Sequence, residues 1–131
     1  MRQRESVRWL DRRIACPGPY LALCLNQPQF DAVCDKLKIA RQPFIMNDHS
    51  DATAHHIASE RGLAVVVCMR RHEGRNPVEV AGLLVHEAVH AWQEYASRIG
   101  EDQPGREQEA YAIQAISQEL MAEFARQMEV R

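Results

Sequence analysis

The spacing of apolar residues changes twice along this chain and divides it into an arm, a strand-rich half and a helical half. Leu21 to Leu25 is mostly apolar and reads, with Tyr20, as a short strand after the Cys16-Pro17-Gly18-Pro19 break. Phe30, Val33, Cys34 and Leu37 recur at helical spacing, which predicts a helix over residues 28–37. Residues 43–46 read as another short strand. Residues 53–59 and 63–70 read as a hairpin around Glu60-Arg61-Gly62. The run Leu63 to Met69 is continuously apolar and rich in valine, so it is the expected central strand; 53–59 is less apolar and is the expected edge. Residues 72–77 form a loop with Gly74 and Pro77. Residues before about Ile14 form an N-terminal arm, read as helical.

The last third of the chain is helical in period. Asn76-Pro77-Val78-Glu79 is a helix start: Asn can cap, Pro suits the first helical position, and Glu three residues after the cap completes a capping box. Gly100 offers the stop, with Pro104 soon after, which delimits a helix over 78–99. Residues 104–128 read as a second helix, with Asp102 or Gln103 as cap. Strands followed by two helices predict an α+β fold in one domain over 1–131. Its small, mainly antiparallel sheet packs on the 78–99 helix, and the second helix follows.

Within the first of these helices stands His86-Glu87-Ala88-Val89-His90, an H-E-x-x-H pattern. Two imidazoles four residues apart project from one helical face and can bind one Zn²⁺, and the intervening Glu can activate water. At about 100° per residue, Glu79, Gly82, His86, His90, Gln93 and Ser97 share one polar stripe. Val80, Leu84, Ala88, Ala91 and Tyr95 lie roughly opposite, so most of the helix is expected to be buried. The stripe also carries a glycine beside which something could approach.

Zinc in a hydrolase takes three protein ligands and a water. On the second helix Glu109 lies at the centre of a stripe with Ala112, Ile113, Ile116, Leu120 and Phe124, where a carboxylate faces the interior and must be neutralised. Glu107 points some 160° away, toward solvent. Glu123 also falls near the stripe, about four turns further on and too far along to share the metal. Eighteen residues separate His90 from Glu109, enough to finish one helix, turn, and start an antiparallel neighbour.

His86-Glu87-x-x-His90 followed by Glu109-x-x-Ala112 resembles the gluzincin branch of zinc metallopeptidases, and in particular the small minimal zincins of bacteria and phages. The likeness covers residues 76–120 well and the preceding strands loosely. It implies a zincin-like fold, with His86, His90 and Glu109 as zinc ligands and Glu87 as general base. The activity it implies is zinc-dependent hydrolysis of a peptide or protein substrate, with an edge strand lining the cleft and pairing with extended peptide. Larger gluzincins often carry an Asp after the E-x-x-A/S element, where this chain has Ile113. The donor for a developing oxyanion stays open among Tyr95, Tyr111, His55, His56, His72 and Arg106. The alternative is a zinc-holding module without turnover that binds a partner or serves in assembly; a metal-free helical interaction domain is the third reading.

Composition narrows the remaining classes. No stretch approaches about 18 consecutive apolar residues, and the N-terminus leads into no apolar signal core, so the expectation is a cytoplasmic protein without a membrane span. Cys16, Cys24, Cys34 and Cys68 form no C-x-x-C pair and read as reduced packing residues. A net charge of −2 gives no overall pull toward nucleic acid or membrane. Arg2, Arg4, Arg8, Arg12 and Arg13 make the first thirteen residues basic, which reads as a solvated arm.

Overall fold

The computed structural model describes residues 7–10 and 18–129. The expected N-terminal helix falls mainly outside the described residues, as do Cys16 and the arm's arginines other than Arg8. Its described part is not helical: Leu10 forms an antiparallel bridge to Leu21.

Six elements follow: β1 (Tyr20–Cys24), α1 (Gln27–Lys36), β2 (Ala52–Ser59), β3 (Gly62–Met69), α2 (Pro77–Arg98) and α3 (Arg106–Gln127). The strands form one sheet in the order β1-β3-β2. Here the expectation of a mainly antiparallel sheet needs correction. β2 pairs with β3 antiparallel through the hairpin, but β1 pairs with β3 in parallel, so the sheet is mixed. The reason is the connection. α1 and the segment after it carry the chain past β3 and enter β2 at the end where β1 finishes, so β2 runs against β1 and the hairpin turns β3 into the direction of β1.

Helices cover both faces of the sheet. Leu21, Leu23, Val65, Val67 and Met69 face α2 and α3, in a cluster with Leu84, Trp92, Ile116 and Leu120. Ala22, Cys24, Ala64, Val66 and Cys68 face α1, with Phe30, Val33 and Cys34. β3 is therefore buried on both faces, which is why its sequence does not alternate. Cys24, Cys34 and Cys68 are buried free thiols, and burial pushes Cys34 and Cys68 up, away from thiolate.

The residues 43–46, expected as a strand, are not one. Pro43 offers no N–H, and the neighbouring backbone groups are satisfied by side chains instead. Phe44 N donates to Gln27 Oε1 at 2.9 Å, and Met46 N donates to Thr53 Oγ1 at 3.2 Å. The Phe44 carbonyl accepts from His55 Nε2 at 3.0 Å. His55 is 6% exposed and stacks on Phe30 with ring centroids 4.3 Å apart. Burial lowers its pKa, with the Phe44 hydrogen bond opposing, so the folded protein keeps this ring neutral where the unfolded chain would protonate it. The unfolded state then binds more protons, and stability is lost as pH falls below about 6.5 toward the depressed folded value. Unfolding free energies from urea curves at pH 7.5 to 5.5 should fall with acidity, by up to about 1.4 kcal/mol per pH unit for one proton. The slope should be shallower in His55→Gln; an unchanged slope would assign the acid sensitivity elsewhere.

Helix ends follow local chemistry. Asn76 caps α2 by accepting from Val78 N at 2.8 Å, with Pro77 at the first position. The capping box does not close as expected: the Glu79 carboxylate accepts from Arg75 Nε at 3.2 Å instead. Gly100 ends α2 at φ +81°, with Gly100 N donating to Ser97 O and Glu101 N to Ala96 O, the two bonds of a Schellman stop. α3 begins two residues later than expected, and its cap is Gly105 rather than Asp102 or Gln103. With no capping side chain, the first turn relies on Glu107 and Glu109 near its positive end. Among the described residues no helix is long and apolar enough to cross a membrane.

Candidate metal centre

α2 lies between the edge strand β2 on one side and α3 on the other. Its buried arc is Val80, Leu84, Glu87, Ala88, Ala91, Trp92 and Ala96. Less of it is covered than the wheel implied: Val78 is 77% exposed and Val85 37%. The polar stripe from Glu79 through Gly82, His86 and His90 to Ser97 is exposed, so the two imidazoles sit at the surface of the helix rather than in the interior.

One turn of α2 brings the two rings onto a common point. Their Nε2 atoms are 3.1 Å apart and the rings cross at 75°. Two nitrogens bound to one tetrahedral zinc at about 2.0–2.1 Å would stand about 3.3 Å apart, so the pair fits the ion without a change of backbone. Glu87 lies a further 100° around the helix. It is buried at the flank of the histidines; burial raises its pKa, and His86 and His90 pull it back down.

Glu109 begins α3 and is half-buried. Its Oε2 accepts a hydrogen bond from Trp92 Nε1 at 2.9 Å, two residues beyond His90. That bond neutralises the carboxylate partly and fixes its direction, and it leaves Oε1 without this tie. Among the described residues no three His, Cys, Asp or Glu side chains are gathered into one metal-holding group. The structure thus brings His86, His90 and Glu87 together, and holds Glu109 at the indole on the neighbouring helix.

The other sequence candidates separate by face. Alternation along β2 sends His55 toward α1 and His56 toward α2. His56 meets the field of Glu94, His90 and Arg98; partial burial lowers its pKa, Glu94 opposes and His90 adds to the lowering. Of the two β2 histidines it is the one that the fold carries to the side of His90. His72 is buried edge-on against Phe124, and Tyr111 is exposed on α3.

An open cleft of about 560 Å³ runs between the start of β2 and the first half of α2. His49, Asp51, Arg75, Glu79, Gly82 and Leu83 line it, and His86 and Glu87 stand at its end. Arg75 bridges its walls, at 2.7 Å to Asp51 Oδ2 and 3.2 Å to Glu79 Oε2. Sequence reasoning missed Asp51 and Arg75, since neither lies in a periodic segment. Comparison of the chain with protein-family models, curated proteins and solved structures finds no match.

Proposed function

We propose that this chain is a zinc-dependent hydrolase of peptide bonds, a small zincin-like metallopeptidase. The observation that carries the reading is the pair of convergent Nε2 atoms, 3.1 Å apart, with the Glu87 carboxylate buried beside them at the end of a cleft. His86 and His90 would hold the ion. Glu109 would supply the third donor, with Trp92 as the hydrogen-bonding partner that a ligating carboxylate requires. Zinc, when bound, polarises a carbonyl and makes a water acidic near neutral pH. Glu87 then does the proton work: its carboxylate accepts a proton during attack and returns it to the departing amine. The β2 edge beside α2 gives an extended substrate a place to lie.

Metal binding tests the site directly. The purified protein should take up one zinc per chain by titration calorimetry and elemental analysis. His86→Ala and His90→Ala should each abolish uptake. Trp92→Phe, which removes the N–H donor to Glu109, should weaken it by about tenfold or more. Uptake unchanged in both histidine variants would sink the reading. A zinc-holding module without turnover is the second reading, and the cleft's openness to solvent beside His86 and Glu87 favours it. Zinc uptake together with no cleavage of any member of a mixed peptide library would select it.

A further inference from the structure

Gly82 has no structural reason to be glycine. It sits inside the 22-residue α2, where only proline is a poorer helix former. Its φ is not in the positive range that needs glycine, and a Cβ built on it meets nothing within 4 Å. Local stability therefore favours alanine at this position. What Gly82 does is leave space. It lies on the exposed stripe one turn before His86, and it lines the cleft that ends at His86 and Glu87. Any side chain added there would enter that cleft.

We propose that Gly82 is a specificity-determining gap: the hollow above it receives a long polar side chain of a polypeptide substrate, next to the scissile bond. This rests on the hydrolase reading and adds the substrate class to it. The polarity follows from the walls. His49, Ser50, Asp51, Arg75 and Glu79 are the hollow's polar walls, and Ala52 and Leu83 its apolar ones. Arg75 pairs with both acids and Asp51 also pairs with Arg71, so the walls are balanced in charge. Together they offer apolar contact to the stem of a long side chain and hydrogen bonds to its neutral or charged end. The helix carries an unfavourable residue at this position because the space is used, a trade of stability for activity.

Three measurements on zinc-loaded protein test this. Thermal unfolding of Gly82→Ala should show a melting temperature raised by about 3 °C. Fluorescein-labelled peptide pools, each position fixed in turn as Gly, Ala, Leu, Gln or Arg, should bind the Glu87→Gln protein with a preference for Gln or Arg at one position. Adding Gly82→Leu should lower that affinity tenfold or more and erase the preference, with zinc stoichiometry unchanged. The same substitution in the active protein should reduce cleavage of those peptides in parallel. A lowered melting temperature in both Gly82 variants would show that the fold needs the glycine and would overturn the proposal. So would peptide binding and cleavage that ignore Gly82→Leu. Wild-type protein that binds the pools with the Gly82-dependent preference and never cleaves them would sink the hydrolase reading and leave the gap standing. Protein that does neither sinks both.

Discussion

Glu123→Ala should melt roughly 10 °C below the wild type, a loss of about 3 kcal/mol for a chain of this length. Glu123 is 0% exposed on α3, yet it is a carboxylate. Arg126 Nε donates to Oε1 at 2.7 Å and Arg126 Nη2 to Oε2, a two-pronged pair; Arg8 Nε adds a bond of 3.0 Å and Gln127 Nε2 another of 3.0 Å. The network continues through Gln127 Nε2 to the Leu23 carbonyl, from Gln29 Nε2 to Gln127 Oε1, and from Leu25 N to Gln29 Oε1. One carboxylate thus ties the end of α3 to β1, α1 and the N-terminal arm. Truncating it leaves the amide of Gln127 short of a partner and strands Arg126, whose side chain is 19% exposed. Arg8 is 63% exposed and rehydrates, so its share is small.

Acid provides the internal control. Burial acts to raise the Glu123 carboxyl, but the bonds from Arg126, Arg8 and Gln127 outweigh it and hold the group below its usual range. A depressed carboxyl contributes stability that is present above the unfolded value, about 4.3, and is lost as pH falls through the folded value. The gap in stability between wild type and Glu123→Gln should therefore narrow as pH falls below about 4.3. A constant gap from pH 7 to 3, read from chemical unfolding curves, would show that shape and not charge makes the network.

The network also marks where sequence ran short. The need to neutralise a carboxylate on an apolar helical face points, in the sequence, to Glu109 at the centre of its stripe. It applies with more force at Glu123, where the stripe is fully covered and the neutralising Arg126 is three residues on. Local signals were legible: the asparagine cap and glycine stop of α2, the valine run of β3, the hairpin, and the edge position of β2 all rest on neighbouring residues. Signals that need distant parts of the chain were not. Nothing in residues 20–24 states that they pair in parallel with 64–68, and that pairing makes the sheet mixed. Nothing near Trp92 states that its N–H meets Glu109, and that contact decides where the carboxylate points. The cleft joins Asp51 and Arg75 across 24 residues, beyond any periodic pattern.

Glu87→Gln should fold, bind zinc and lose turnover by about 10²–10⁴-fold, the range general-base groups contribute. The substitution keeps volume and one acceptor oxygen but removes the ability to take a proton at the operating pH. Structure predicts no penalty in folding. Among the described residues Glu87 has no ion pair to lose, the charges it feels are those of His86 and His90, and burial disfavours its charged form, so a neutral amide suits the site at least as well. The melting temperature should stay level or rise slightly. Zinc affinity should hold within a few-fold, because the imidazole nitrogens converge without help from this side chain. Glu87→Asp is the discriminating partner. It keeps the base and withdraws it by one methylene, so it should retain part of the activity, and the lost part should lie in kcat rather than KM. If Glu87→Gln instead loses zinc, the residue belongs to the binding of the ion. If it keeps full activity, the proton is taken elsewhere, and His56, facing the same side from β2, becomes the group to replace next.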